Sequence, residues 1–147
     1  MIRLIDRDMN RVGEWVAMNT QGTWTPQDST AIGLERNGDL VAGTIFTNWN
    51  GRSLCMHTSI NWMSRKFLWC CFHYPFIQLK AAKVIGLVDS CNAKAMRLNR
   101  HLGFVEEATV SGAGKQGDLV LFTMTKDQCR WLALGDRDHG WQRRKCA

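Results

Sequence analysis

Alternating apolar and polar residues open the chain and predict a half-buried β-strand over residues 1–6. The spacing then changes, because Asp8 begins a stretch in which Val12, Trp15 and Val16 recur at the period of a helix. The chain is therefore expected to begin with a strand followed by a helix.

Three further apolar runs are separated by the dipeptides Asn37-Gly38 and Asn50-Gly51. Asn-Gly favours the type I′ turn, in which both central residues need a positive φ, and it is a strong signal for a tight hairpin. The pattern predicts an antiparallel meander of three strands, at residues 29–36, 40–49 and 53–60.

Ser64 is placed to cap a second helix, whose apolar residues share one face: Leu68, Phe72, Phe76 and Leu79. Pro75 should kink this helix, because proline has no backbone N–H to donate. The continuous apolar run at 84–88 predicts a strand covered on both faces. Since a helix leads into it, this strand should lie parallel to the strand before that helix.

Asn92 is a good N-cap for a third helix, and Gly103 supplies the left-handed residue that ends it. Its inward-facing residues are Ala95, Leu98 and Leu102. Two strands, 105–110 and 119–125, then follow around a glycine-rich turn. The predicted fold class is α+β, with a mixed, mostly antiparallel sheet flanked by helices.

Composition places the chain among globular proteins. Its 147 residues suit one domain, and 45% hydrophobic with 22% charged residues excludes a disordered or collagen-like chain. From residue 133 the sequence becomes polar and basic, so we expect a domain over 1–132 and a basic tail over 133–147.

The charge balance favours anionic partners. The chain has 19 basic and 13 acidic residues, a net charge of +6, which suits phosphorylated cofactors, nucleic acid or acidic surfaces. No apolar run approaches the ~20 residues of a membrane span, so no membrane partner is expected. The N-terminus has no apolar signal core, so we predict a cytoplasmic location and free thiols for the six cysteines.

The segment from Asn92 to Glu107 follows a buried strand and reads NAKAMRLNRHLGFVEE. It resembles the Asn-x-x-Ala-…-Gly-Phe-…-Glu signature of the GNAT family of acyl-CoA N-acyltransferases, as does the order of elements over 1–132. Further segments are similar to small GNAT proteins often encoded by phages: His57, 62–65, 74–76, 101–104 and 129–132. The resemblance implies the GNAT fold with a splayed pair of parallel strands, and an enzyme of the host cytoplasm if a phage encodes it.

The same resemblance implies acetyl-CoA as co-substrate, with its pantetheine arm between strands 53–60 and 84–89. The pyrophosphate is expected at the start of the helix after the fourth strand, where unpaired amides and the helix dipole favour an anion. The cofactor-binding candidates are Trp62, Met63, Ser64, Arg65, Lys66 and Phe67, with Asn92 and Arg97 on the later helix. Family members have glycines in this loop and this chain has none, so a solvated first turn at Arg65 and Lys66 is the alternative.

Acyl transfer to an amine needs a base, because an ammonium with a pKa near ~10 must lose a proton before it attacks. His57 is the catalytic candidate, on a strand where Cys55 and Ser59 share its face; a surface or supporting histidine is the alternative. The family often uses a tyrosine seven residues after the motif asparagine to protonate the departing thiolate. Asn99 occupies that position here.

Other groups carry weaker signals. Cys70, Cys71 and His73 resemble a metal-binding fragment, but no second pair stands at zinc spacing, so we predict core packing and no metal. Three tryptophans in or beside loops are candidates for the border of an acceptor cleft: Trp24, Trp49 and Trp62. The basic tail residues are candidates for nucleic-acid contact or a solvated tail: Arg143, Arg144 and Lys145.

The sequence thus predicts an acetyl-CoA-dependent N-acetyltransferase that acts on a primary amine of unknown acceptor, either a protein or a small molecule. The alternative is a catalytically inactive GNAT-like binding module for protein or nucleic acid. A third reading keeps the chemistry and takes a nucleobase amine as acceptor. A homodimer is the candidate oligomeric state.

Overall fold

A computed structural model describes residues 1–20 and 22–137 of the chain. Within these residues, seven strands form one sheet in the order β1-β2-β3-β4-β5-β7-β6. Their bounds are β1 Ile2–Ile5, β2 Thr30–Arg36, β3 Asp39–Thr47, β4 Ser53–Ile60, β5 Lys83–Asp89, β6 Val105–Val110 and β7 Leu119–Thr125. The pair β4–β5 is parallel and the other pairs are antiparallel. The predicted α+β class and its single parallel pair are confirmed.

The first helix, α1 (Met9–Asn19), packs on one face of the sheet through Val12 and Val16, which are fully buried. Glycines on the strands beneath allow this close approach. A Cβ on Gly33 or Gly43 would lie 2.6 Å from a methyl group of Val12 or Val16, respectively. This face carries a small core of its own.

The other face carries the main core, against which α2 (Arg65–His73) and α3 (Ala93–Leu102) pack. Ser64 caps α2 as predicted, because its Oγ accepts a hydrogen bond from the Phe67 amide at 3.2 Å. The predicted kink at Pro75 takes the form of a π-helical turn, Tyr74–Gln78, that continues α2. The missing N–H of proline explains the irregular turn.

Of the two predicted type I′ turns, only the first is present. Asn37 and Gly38 have φ of 53° and 92°, as that turn requires. The second prediction is wrong, because β3 ends at Thr47 and the left-handed residues are Asn48 and Gly51. The Oδ1 of Asn50 instead accepts hydrogen bonds from the two amides that follow Gly51, which stabilises a longer loop.

Strand β5 departs from the expectation of cover on both faces. Val84 and Val88 are buried, but Leu87 is 38% exposed. Its side chain points to the same face of the sheet as α1. That helix packs mainly on β2 and β3, so it leaves this face of β5 uncovered. The prediction is therefore correct for one face of β5 and wrong for the other.

The third helix has the predicted caps. Asn92 Oδ1 accepts a hydrogen bond from the Ala95 amide at 3.1 Å, and Gly103 ends the helix with a φ of 100°. After β7 and a short turn, a 3-10 helix, Arg130–Arg137, packs on the core, and the Trp131 indole donates to the Leu102 carbonyl at 2.7 Å. The predicted boundary at residue 132 stays a prediction. The basic residues Arg143, Arg144 and Lys145 lie outside the described residues.

Among the described residues, cysteine pairing departs from the expectation at Cys70. The thiols of Cys55, Cys71, Cys91 and Cys129 are free, whereas Cys70 is disulfide-bonded, so the prediction of free thiols is wrong for Cys70. Both Cys70 and Cys71 are buried, as core packing requires. Within 1–20 and 22–137, no three His, Cys, Asp or Glu side chains are arranged to hold a metal ion. None of the helices described is long and apolar enough to cross a membrane.

Candidate active site

The parallel strands β4 and β5 separate partway along their length. They pair only through residues 53–55 and 83–85, although β4 runs on to Ile60 and β5 to Asp89. On their outer edges the same strands stay paired, β4 with β3 and β5 with β7. The backbone groups that face each other across the gap are therefore left without a ladder partner, and can bond a ligand. The predicted splayed parallel pair is confirmed.

A cleft of about 400 Å³ occupies this gap, a size within the range typical of small-molecule sites. The alternation of side chains along the strands divides it into two halves. We call the side that faces α1 the acceptor half; its lining residues are Asn19, Thr20, His57, Leu87 and Asp89. Lys115 also lines the cleft, and we assign it to this half because the amide of the next residue, Gln116, binds Asp89. The α3 half lies on the opposite face of the sheet and is lined by Asn92, Lys94, Ala95, Leu98 and Asn99.

His57 lies in the acceptor half. It stands opposite Ile45 in the β3–β4 register, and Ile45 belongs to the core beneath α1, so the imidazole points to the same face. Gly22 lies against the ring, since a Cβ there would be 3.5 Å from Cγ of His57. Burial lowers the pKa of His57 below the usual histidine value of 6.5. The side chain is therefore neutral at pH 7 and can accept a proton.

Asp89 ends β5 at the rim of the acceptor half, and its carboxylate is occupied by backbone amides. The amide of Gln116 donates to Oδ2 at 2.7 Å, and that of Cys91 donates to Oδ1 at 2.8 Å. These hydrogen bonds, with one from Gly117, lower the pKa of Asp89. The carboxylate fixes the loop between β6 and β7 beside the cleft.

The α3 half carries the two asparagines of the sequence motif. Asn92 is exposed at the start of α3, where its Oδ1 caps the helix and its side chain borders the cleft. Asn99 donates from Nδ2 to the Ala95 carbonyl at 3.2 Å, and its Oδ1 would lie 3.3 Å from a Cβ on Gly86. The absence of a side chain on Gly86 thus lets α3 approach the splayed strand.

Not all predicted cofactor-binding residues border the cleft. Asn92 does, as does the catalytic candidate His57, whereas Arg97 is exposed on α3 outside the cleft lining. The segment from Trp62 to Phe67 leads from the end of β4 into α2 and also lies outside this lining. Two of its amides are already used, because Trp62 donates to the Val41 carbonyl at 3.1 Å and Phe67 donates to Ser64.

The segment's side chains have several different surroundings. Phe67 is fully buried in the main core, whereas Arg65 is exposed and Lys66 is half-buried. The Trp62 ring lies under the Arg36 guanidinium, 5.0 Å from its centroid. Within this segment, Arg65 and Lys66 bring positive charge to the start of α2. The predicted roles of all six residues stay predictions: Trp62, Met63, Ser64, Arg65, Lys66 and Phe67.

None of the three loop tryptophans lines the cleft. Trp24 packs over α1, where a Cβ on Gly13 would lie 2.1 Å from its ring, and its Nε1 donates to Asn10 at 3.0 Å. Trp49 is exposed beyond the end of β3. Trp24 serves the packing of α1 and Trp62 stacks with Arg36, and a place for these residues at the border of the acceptor cleft stays a prediction.

Sequence reasoning missed the polar residues that join His57 in the acceptor half: Asn19, Thr20, Asp89 and Lys115. The first two end α1, and their position depends on how that helix crosses the sheet. An aspartate at the end of a buried strand was a usable signal for Asp89. The amides that bind it come from residues 116 and 117, which are far along the chain and carry no side-chain signal.

No family model matches the sequence, and a comparison with curated proteins finds no match. Solved structures do match. Spermidine N-acetyltransferase from Vibrio cholerae in complex with CoA and spermine is 15% identical, with a TM-score of 0.63 over 86% of this chain and 96% of that one. The chain has the GNAT fold. A dodecameric structure of the same enzyme in an intermediate state is also 15% identical, with a TM-score of 0.65 over 86% of this chain and 95% of that one.

The shared fold confirms the architecture expected from the Asn92 motif and the order of elements. At this level of identity the likeness is one of fold. A shared fold does not by itself determine a shared activity.

Proposed function

We propose that the chain is an acetyl-CoA-dependent N-acetyltransferase that acetylates a primary amine. The observation that carries the proposal is the cleft in the gap of the parallel pair, with a neutral histidine on one side and the capped start of α3 on the other. Support comes from structural neighbours that are spermidine N-acetyltransferases, one of them in complex with CoA and spermine.

The gap suits the co-substrate on physical grounds. The facing edges of β4 and β5 beyond residues 55 and 85 offer backbone donors and acceptors to a peptide-like arm. Asn92 and Lys94 border the α3 half, where Lys94 adds positive charge for an anionic ligand. Arg65 and Lys66 are the first two residues of α2. The N-terminus of a helix carries partial positive charge and disfavours cations, unless an anion is bound nearby. We assign these four residues to the binding of acetyl-CoA, with Arg97 as a more distant charge.

When bound, acetyl-CoA supplies an acetyl thioester: the amine nitrogen bonds to the acetyl carbon, the C–S bond breaks, and a thiolate with a pKa near ~8.5 leaves. His57 takes the proton that the ammonium must lose before it attacks, directly or through one water, and the second N–H proton passes to solvent or to the departing thiolate. Asn99, at the position where the family often has a tyrosine, has no proton of suitable acidity to give. The chain therefore relies on the leaving ability of the thiolate.

Four further predictions from the sequence are part of this proposal. These are the similarity to phage-encoded GNAT proteins, the cytoplasmic location, the homodimer and the contact of the basic tail with nucleic acid. A dodecamer occurs in one structural neighbour, which supports self-association of some kind. A measurement of the molecular mass of the full chain in solution tests whether the chain self-associates.

Transfer itself is tested by incubating the protein with isotope-labelled acetyl-CoA and the amines of a bacterial lysate. We expect labelled acetyl groups on one or a few amines, detected by mass spectrometry and absent when the protein is left out. Labelling equal to that background, in a protein that still binds acetyl-CoA, would contradict the enzyme and favour the inactive binding module.

A further inference from the structure

The charges around the acceptor half carry information about the acceptor, provided that the proposed function holds. The amine must reach His57, and the imidazole points into the half that faces α1. The other polar side chains in the acceptor half include Asn19, Thr20 and Ser59, which are uncharged. Charge recognition therefore depends on Asp89 and Lys115.

Asp89 cannot pair with a substrate cation without giving up its present partners. It is the only acidic side chain that lines the cleft among residues 1–20 and 22–137. Both of its oxygens accept backbone hydrogen bonds, at 2.7 Å from Gln116 and 2.8 Å from Cys91. Because the amides already compensate its charge, this carboxylate contributes little attraction to an ammonium in the cleft.

Lys115 is held at the rim by the loop that Asp89 fixes. A Cβ on Gly114 would lie 2.8 Å from Oδ2 of Asp89, and one on Gly117 would lie 2.4 Å from Oγ of Ser90. Ser90 also accepts a hydrogen bond from the Asp118 amide at 2.9 Å. The loop backbone is thus in close contact with the end of β5 on both sides of Lys115, which fixes where this lysine emerges.

Lys115 is exposed, lines the cleft and adjoins Gln116, whose amide binds Asp89. Its side chain has no ion-pair partner within the part of the chain that the structure describes. The acceptor half therefore presents one unpaired positive charge and one compensated negative charge. A second ammonium on an acceptor would be repelled there, whereas an anionic group would be attracted.

We propose that the acceptor is a primary amine that carries an anionic group on the same molecule, and that Lys115 pairs with this anion while the amine faces His57. The inference rests on the proposed function and deepens it. It also separates this chain from its structural neighbours, whose acceptors are the polycations spermidine and spermine.

The test compares amines of similar length whose far ends differ in charge. Acetylation of γ-aminobutyrate, γ-aminobutyramide and putrescine is measured as kcat/KM with saturating acetyl-CoA at low salt. We expect the anionic amine to be preferred over the neutral one, and the neutral one over the dication, by roughly fivefold at each step. Aminopropyl phosphate, run in parallel, tells whether a carboxylate or a phosphate is the better anion.

The variant Lys115→Glu should reverse this order, and Lys126→Glu, on an exposed turn outside the cleft lining, should preserve it. Both variants should bind acetyl-CoA as the original chain does. Putrescine as the best acceptor, an order that Lys115→Glu leaves unchanged, or a loss of acetyl-CoA affinity in Lys115→Glu would overturn the inference. A protein that binds no acetyl-CoA at all would instead refute the proposed function.

Discussion

Replacing His57 by alanine is expected to lower kcat by about a hundredfold or more, the usual contribution of a positioned general base. His57 points into the acceptor half of the cleft, and burial keeps its imidazole neutral at pH 7. Since the attacking ammonium must lose a proton, removal of this acceptor slows the chemical step. Acetyl-CoA affinity, measured by titration, should change little.

The pH dependence of kcat/KM gives a second readout of the same residue. Because burial lowers the pKa of His57, the neutral base persists below the usual histidine range, and the rate should fall only at a pH lower than 6.5. The variant His57→Ala should lose this acidic limb. The control is His101→Ala, which removes an exposed histidine outside the cleft lining. An unchanged profile in His57→Ala would remove His57 from the mechanism.

Replacing Phe67 by alanine is expected to lower the free energy of unfolding by about 3–5 kcal/mol, the usual cost of truncating a buried aromatic side chain. Phe67 is fully buried in the main core, although the family resemblance places it among the cofactor-binding residues. Thermal unfolding should show a melting temperature lower by roughly 10 °C. Acetyl-CoA affinity of the folded variant should be almost unchanged, because only the backbone of Phe67 can meet the ligand.

The matched control is Met18→Ala, which truncates a large apolar side chain that is exposed on α1. We expect its melting temperature to stay close to that of the original chain. If Phe67→Ala kept its stability and lost acetyl-CoA affinity, the placement of this side chain in the core would be contradicted. Acetyl-CoA affinity is measured well below the melting temperature of both variants. A loss of stability then does not affect the measured affinity.

The fold could be predicted where short-range chemistry determines the backbone. Asn92 and Gly103 mark the two ends of α3, and Asn37-Gly38 fixes its hairpin, because in each case the residue that makes the contact lies within a few positions. The loop at Asn50 and Gly51 has the same dipeptide and a different geometry. There the strand ends early at Thr47, a tertiary effect that the dipeptide does not report.

The candidate site was less predictable, because the sheet brings together residues that lie far apart along the chain. His57 could be found from the strand pattern and Asn92 from the family signature. Lys115 reaches the cleft only because amides of its loop bind Asp89, and glycines allow that close approach. Leu87 is exposed because α1 does not extend over β5, which no local pattern shows.

Calorimetric titration with acetyl-CoA tests the central claim most directly, namely that the gap between β4 and β5 is a co-substrate site. We predict saturable binding of one acetyl-CoA per chain with a Kd below about 1 mM. At low salt, Lys94→Glu in the α3 half should weaken this binding by roughly two- to tenfold, and Lys126→Glu should not. The absence of any binding heat at millimolar acetyl-CoA would contradict the proposed function.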